Sequence, residues 1–583
     1  MPQINRKRSA LLLITLLLIS SVLAVADDSK LSPELRNRSS NAPVQVIVQY
    51  SQPPQQSCGL IGCLLNLVGN VLSSLPLVNG VVSVVDNSGL AQLANDPNVL
   101  YVSPDRPVSM QLSNAAPAIN APTAWQKGYV GSGISVAVVD SGIGSSPDLN
   151  GGAHGASRVV YSQNFVPGSN TTADQYGHGT HVAGLIAGNG ASSTGPNYFK
   201  TEKGIAPSAS LVSLRVLDAN GEGSDSAVIA AIAEAIALKS KYNIRVLNLS
   251  LGRPVMESYK LDPLCQAVES AWKAGIVVVV SAGNNGRYNG VNNDGYGTIT
   301  SPGNDPYVIT VGAMKPMDTP ERTDDLIATY SSKGPTSYDH FVKPDIVAPG
   351  NLLVSLATNG TLESEYPAND VPFSYYQYSG TSAASPYFTL SGTSMAAGIV
   401  SGAVADLLQA QPKLTPDQVK ARLMKTAYKT FPQYSTYTDP DTGVTYTDQY
   451  DIFTVGAGYL DLAAALASKD VANGTAMSPS ARYDSKSGNV YLVKDSSAVW
   501  GGSAVWGGSA VWGGSAFVNP NSAVWGGSAV WGGSAVWGGS TDSGFSAVWG
   551  GSAVWGGSAV WGGSAVWGGS AVWGGSFAAA GEK

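Results

Sequence analysis

The sequence predicts an α/β fold built on a doubly wound, mainly parallel sheet, and three observations carry that expectation. Between Gly131 and Ala467, five runs are apolar and β-branched without alternation: Ile134–Asp140, Leu211–Leu217, Arg245–Leu251, Gly275–Gly283 and Tyr307–Ala313. Strands of that composition are covered on both faces, the usual condition of parallel strands. Helical patterns lie between them at His178–Gly188, Ser226–Lys239 and Pro263–Ala274, so strand and helix alternate. Polar residues gather at the carboxyl ends of the strands, where open sheets of this kind bind ligands.

The elements around this core follow in chain order. At 583 residues, with 44% hydrophobic and 13% charged side chains, the chain allows several domains and a large core. Its net charge of -7, spread without long runs, argues against nucleic acid as a partner. Arg6, Lys7 and Arg8 precede an apolar stretch, Ala10–Leu23, and Ala24-Val25-Ala26 is an A-x-A cleavage site. Residues 1–26 therefore read as a signal peptide, and the mature protein as secreted. Cys58 and Cys63 are spaced for a small disulfide loop, whereas Cys265, on an apolar helix, reads as a buried hydrophobe. Residues 42–108 form a small α+β module, with strands expected at Val44–Tyr50, Val78–Val85 and Asn98–Val108 and a helix at Leu90–Asp96.

Ser394 stands in Leu390-Ser391-Gly392-Thr393-Ser394-Met395-Ala396-Ala397-Gly398, ahead of a run to Gln409 that is apolar all round, as a buried helix requires. There its hydroxyl is at the mouth of the fold and its amide is among the unpaired donors of a first helical turn. The plainer reading is an N-cap. Asp140 closes a strand, as a turn residue or as a partner for an imidazole. His178 is followed one turn later by His181, which reads as a packing residue. Asn284 sits just past the strand Gly275–Gly283, as a turn former or an oxyanion donor. Together Asp140, His178, Asn284 and Ser394 supply a carboxylate, a base, an amide donor and a nucleophile, the set that acyl transfer through a serine needs.

The blocks VAVVDSGI, YGHGTHVAG, LNLSLG, VVSAGNNG and SGTSMAAG resemble those of the subtilisin-like serine peptidases, in the same order, over about residues 114–467. The resemblance implies a subtilisin-like catalytic domain that cleaves proteins and peptides. Asp140 would orient the base, His178 would act as base then acid, Ser394 as nucleophile, and Asn284 with the Ser394 amide would hold the oxyanion. It also implies that Gly221 to Gly223 and Ser250, Leu251 and Gly252 flank an extended substrate, and that Ala282 and Gly283 wall a roomy pocket. Ser301-Pro302-Gly303 resembles the family turn that can carry a cis proline. Residues 42–108 resemble the family's inhibitory prodomain, released at a junction between Pro107 and Asn120, so the protein is expected as a self-processed zymogen.

The sequence departs from the family pattern at two places. Gly398 replaces a proline inside the nucleophile's helix, and a longer loop, Asn351 to Leu390, holds a near copy of the motif around Ser382. Ser382 is set aside because Pro386-Tyr387-Phe388-Thr389 interrupts the helix that should follow. Catalysis needs no cofactor; a structural Ca2+ is implied by the family, with Asp148 as one ligand or, equally, a turn cap, and a poorly matching loop at Asn189 to Lys203. Residues 468–496 read as a linker. Residues 497–576 repeat Ser-Ala-Val-Trp-Gly-Gly with a period of six and hold 11 of the 13 tryptophans. The repeats read as short strands or as a low-complexity tether, with a sticky tryptophan face for a cell surface, a polysaccharide or other copies of the chain. A competing reading makes the repeats the active part of a non-catalytic surface or matrix protein.

Overall fold

The computed structural model describes residues 28–36, 38, 41–52, 70–75, 79–104, 115–152, 155–288, 293–317, 319–378, 385–484, 489–493 and 581–582. The expected signal peptide, the Cys58–Cys63 loop, Ser382 and the repeats at 497–576 lie outside them. The chain divides into two compact units, Met1–Ser109 and Met110–Lys583.

In the first unit an antiparallel sheet runs in the order β2-β3-β1-β4, from β1 (Val44–Tyr50), β2 (Asn70–Leu75), β3 (Gly80–Val85) and β4 (Val99–Pro104). Helix α1 (Asn87–Asn95) starts where Asp86 Oδ1 accepts the Gly89 amide at 2.9 Å. Its Leu90, Leu93 and Ala94 pack on Val46, Val48, Val81, Val85, Val99 and Val102. Strand β2 was not foreseen, because its apolar residues do not mark a core face: Val71 and Leu72 are exposed, and the register shifts between Val71 and Ser73.

The second unit is organised on a sheet of order β11-β10-β9-β8-β5-β7-β6, with β12 also pairing β10. Its strands are β5 (Ser135–Asp140), β6 (Val159–Asn164), β7 (Ser210–Arg215), β8 (Ile244–Leu249), β9 (Val277–Ser281), β10 (Ile309–Lys315), β11 (Leu326–Ile327) and β12 (Ile346–Pro349). Every pairing is parallel except that of β10 with β11. All residues of β5, β9 and β10 are buried, which is why their sequences do not alternate. The flanking helices are α2 (His178–Ala187), α3 (Asp225–Tyr242) and α4 (Pro263–Lys273). After β7 the chain crosses from one side of β5 to the other, through α3 into β8. This places the switch point of the sheet beside Asp140.

Two hairpins complete this side of the unit: β13 (Leu353–Leu356) with β14 (Tyr387–Leu390), and β15 (Tyr434–Thr438) with β16 (Thr445–Gln449). The first occupies the predicted long loop, and Tyr387–Leu390 is a strand, as the interruption after Pro386 requires. Helix α5 (Thr393–Ala410) runs through the core and is buried from Thr393 to Leu408. It continues straight through Gly398, where a Cβ would meet Val182 Cγ1 at an ordinary 3.5 Å, so the glycine neither breaks the helix nor is demanded by space. Helices α6 (Pro416–Thr426) and α7 (Leu462–Ala467) follow.

The expected linker, by contrast, packs on the unit. Ala476 donates its amide to Asp417 Oδ1 at 2.7 Å and Ala481 to the His340 carbonyl at 2.7 Å, leading into the hairpin of β17 (Ser480–Asp484) and β18 (Asn489–Val493). Ser478 reaches Asp345 Oδ1 at 2.5 Å, where a charge cluster is buried. Lys343 Nζ lies 2.7 Å from Asp345 Oδ2 and Lys420 Nζ 3.1 Å from its Oδ1, with all three side chains fully buried. Burial alone would raise the Asp345 pKa, but the two ammonium groups hold it below the ordinary 3.8. Its stabilisation is complete above the unfolded value and drains away as pH falls through the lower folded value. Asp345→Ala leaves two buried lysine ammonium groups, their pKa values already pushed down by burial, without their shared anion and is expected to cost about 3–5 kcal/mol at pH below 7, where Lys420 is charged, measured by urea unfolding.

Candidate active site

Asp140 ends β5 at the switch point, and the start of α2 is pressed against it. A Cβ on Gly179 would lie 2.3 Å from the Gly142 carbonyl and 3.1 Å from Asp140 Cβ, so a residue without a side chain is needed for that approach. His178, the first residue of α2, then brings Nδ1 to 2.8 Å from Asp140 Oδ1. With Nδ1–H donating to the carboxylate, Nε2 is left as the acceptor. Both side chains are fully buried, and among the described residues Nε2 has no hydrogen-bond partner. Burial pulls the imidazole pKa down, but the charge and hydrogen bond of Asp140, with the charge of Asp174, outweigh it and raise it above 6.5.

Two residues that hold this pair were missed in the sequence. Asp174 caps α2: Oδ1 accepts the Gly177 amide at 2.8 Å, and Oδ2 accepts the Thr180 amide at 2.9 Å and its hydroxyl at 2.7 Å. Ser141 Oγ accepts the Gly179 amide at 2.9 Å, while its own amide donates to Asp140 Oδ1 at 2.8 Å. An aspartate four residues before the histidine was the available signal for the cap. His181 packs, as expected, with Nε2–H shared between the carbonyls of Leu353 and Phe388 at 3.1 Å each. Burial and the neighbouring His178 push its pKa down to about 3.

Helix α5 lies beside α2 with matched turns. Gly398 faces Val182 and Leu185, and one turn on a Cβ at Gly402 would sit 3.2 Å from the Ile186 carbonyl. The two helices therefore run in the same direction, with His178 and Ser394 both in their first turns. Ser394 Oγ donates to the Ser250 carbonyl at 3.1 Å, and Ser250 Oγ donates to the Ser394 carbonyl at 2.9 Å. Asn284 Oδ1 accepts the Thr393 amide at 2.9 Å and hydroxyl at 3.0 Å, and Thr393 Oγ1 accepts the Gly283 amide at 3.1 Å. This fixes which way the amide of Asn284 points. A Cβ on Gly392 would stand 3.3 Å from its Nδ2.

The subtilase family profile matches residues 131–458, more than half of the chain. The chain belongs to the subtilase family. It is 38% identical to serine protease AprX of Bacillus subtilis over 359 residues, 59% of this chain and 73% of that protein. Identity to subtilisin E of the same species is 34% over 367 residues, covering 62% and 78% respectively. For the alkaline protease of Shouchella clausii it is 34% over 337 residues, covering 57% and 70%. This subtilase is a serine endopeptidase.

The expected substrate residues of the subtilase divide between loops and strand ends. Gly221, at φ 76°, turns the chain after β7, and Gly221 to Gly223 lie in a loop outside any strand. Ser250, Leu251 and Gly252 follow β8, and Ala282 and Gly283 follow β9. Thr300 fills the space between them: a Cβ on Gly252 would be 2.7 Å from its Oγ1, and one on Gly283 2.8 Å from its Cγ2. The Ser301–Pro302 peptide beside it is cis.

The Asp148 carboxylate is engaged by protein donors on both oxygens. Oδ1 accepts the Ser192 amide at 2.6 Å and Oδ2 the Tyr387 hydroxyl at 2.8 Å. Among the described residues no three His, Cys, Asp or Glu side chains gather as a metal site. Cys265 is buried 3.4 Å from Asn304 Oδ1, and burial pushes its thiol pKa up, away from nucleophilic use. No described helix is long and apolar enough to cross a membrane.

Proposed function

We propose that Ser394 attacks the scissile carbonyl while His178 Nε2 takes its proton, that Asp140 keeps the imidazole in the tautomer required, and that Asn284 Nδ2 and the Ser394 amide bind the oxyanion. The proton then passes from His178 to the leaving amine, and water repeats the sequence to release the acyl group. The observation that carries the reading is the 2.8 Å contact of His178 with Asp140 on a helix whose turns match those of the nucleophile's helix. Substrate backbone enters between Gly221–Gly223 and Ser250–Gly252, with Ala282 and Gly283 walling the pocket before the cut. We take the protein to be secreted and made as a zymogen, with residues 42–108 as inhibitor and the tryptophan repeats as a means of attachment.

A sulfonyl fluoride tests the nucleophile directly. Mass spectrometry of the inactivated enzyme is expected to find the adduct on Ser394; an adduct on Ser382, or inactivation without one on Ser394, overturns the assignment. Asn284→Ala is expected to lower kcat by about 10²–10³ with KM little changed, the loss known for this type of donor in subtilisin itself. Steady-state kinetics on a chromogenic peptide measures it.

A further inference from the structure

The segment that follows the repeats returns to the second unit at a built site. Glu582 is 1% exposed, although it is the first charged residue after Asp542. Its Oε1 accepts from Arg287 Nη2 at 2.9 Å, from the Thr329 amide at 2.9 Å and from the Thr329 hydroxyl. Its backbone is read as well. The Glu582 amide donates to Asn351 Oδ1 at 2.9 Å, and Asn351 Nδ2 donates to the Glu582 carbonyl at 2.7 Å.

The receiving side chains are held in place by other contacts. Arg287 Nε donates to Thr329 Oγ1 at 2.7 Å and Nη1 to Asp439 Oδ2 at 2.9 Å, and the guanidinium lies 4.7 Å from the centre of the Tyr446 ring. The arginine is thus fixed by the β15–β16 hairpin, and a planar donor so fixed suits a carboxylate. The residue before the glutamate is selected too. Gly581 has φ 60°, and a Cβ there would lie 2.3 Å from Leu352 Cδ2 and 2.7 Å from Ser391 Oγ. A side chain there would have to move Leu352 and Ser391 and hold a left-handed backbone that glycine favours.

We propose that Arg287, Thr329 and Asn351, with Leu352 and Ser391, form a binding site for a Gly-Glu unit within a peptide, and that its occupant is this chain's own Gly581–Glu582. The repeats at 497–576 are then tethered to the catalytic unit at both ends, through β18 before them and this site after them. Recognition uses the side chain and the flanking peptide groups, not a terminal carboxylate, so the site accepts an internal sequence. It draws on none of the proposed catalytic groups.

The test is binding in trans. A chain shortened by residues 581–583, in the Ser394→Ala background so that nothing is cleaved, is titrated with fluorescent acetyl-Ala-Ala-Ala-Gly-Glu-Lys-amide and followed by anisotropy. Saturable binding is expected, weakened at least about tenfold when the peptide glutamate is changed to glutamine or its glycine to alanine, because a charge-assisted bond or the close approach is lost. Adding Arg287→Ala to the shortened chain should weaken it as much. The unshortened chain, whose site is filled, should bind at least about tenfold more weakly. Equal binding of the glutamine peptide, equal binding to the unshortened chain, or no binding to a shortened chain that melts cooperatively overturns the proposal. If the shortened chain does not melt cooperatively, the full chain carrying Glu582→Gln replaces it and must bind the peptide more tightly than the unaltered chain; failure to do so is again decisive.

Discussion

Ser394→Ala is expected to lower kcat by about 10⁶-fold, the size of loss known for the nucleophile of subtilisin, a relative of this chain. The residual rate would come from oxyanion stabilisation and substrate binding, which do not need the hydroxyl. The alanine removes the Oγ bond to the Ser250 carbonyl but leaves the first turn of α5 and the Thr393–Asn284 bonds in place, so KM should change little. The same variant reports on maturation. If Ser394 cuts its own precursor, the alanine protein should accumulate with residues 42–108 attached, visible by intact mass. Equal maturation of variant and wild type would remove self-processing from the account while leaving the peptidase chemistry untouched.

Asp140→Asn is expected to cost about 10⁴-fold in kcat, the loss measured for the same change in another serine-peptidase triad. An amide opposite Nδ1 can donate where the carboxylate accepted, which favours the tautomer with its proton on Nε2 and disables the base. The variant also makes a prediction in pH. A general base works only as the neutral imidazole, so the acid limb of kcat/KM follows the pKa of His178, raised above 6.5 by Asp140. Without that negative charge the limb should move to lower pH, while the plateau falls. A limb that stays in place would mean that a group other than His178 titrates in the rate.

The parallel core was legible because its strands are buried on both faces: β5 and β9 differ from their sequence boundaries by one or two residues. The candidate site residues stand at the edges of apolar runs, Asp140, Ser250 and Asn284 where one stops and His178 and Ser394 where one begins. What escaped was structure held by pairing and not by apolar pattern. The β15–β16 hairpin alternates exposed and half-buried residues up to the buried Asp448 and Gln449, and only the turn Asp439-Pro440-Asp441-Thr442-Gly443 announced it. The segment from Ser468 looked like a linker by composition, yet a buried serine and two amide bonds fasten it. The Arg287 cluster draws on residues 287, 329, 351, 439 and 582, a grouping that no local pattern reveals.

The matched turns of α2 and α5 have a mechanical meaning. His178 and Ser394 ride on neighbouring rods that touch at successive levels, Val182 with Gly398 and Ile186 with Gly402. Sliding one rod past the other would break both contacts, so the side chains at their starts are held by helix packing and not by loops alone.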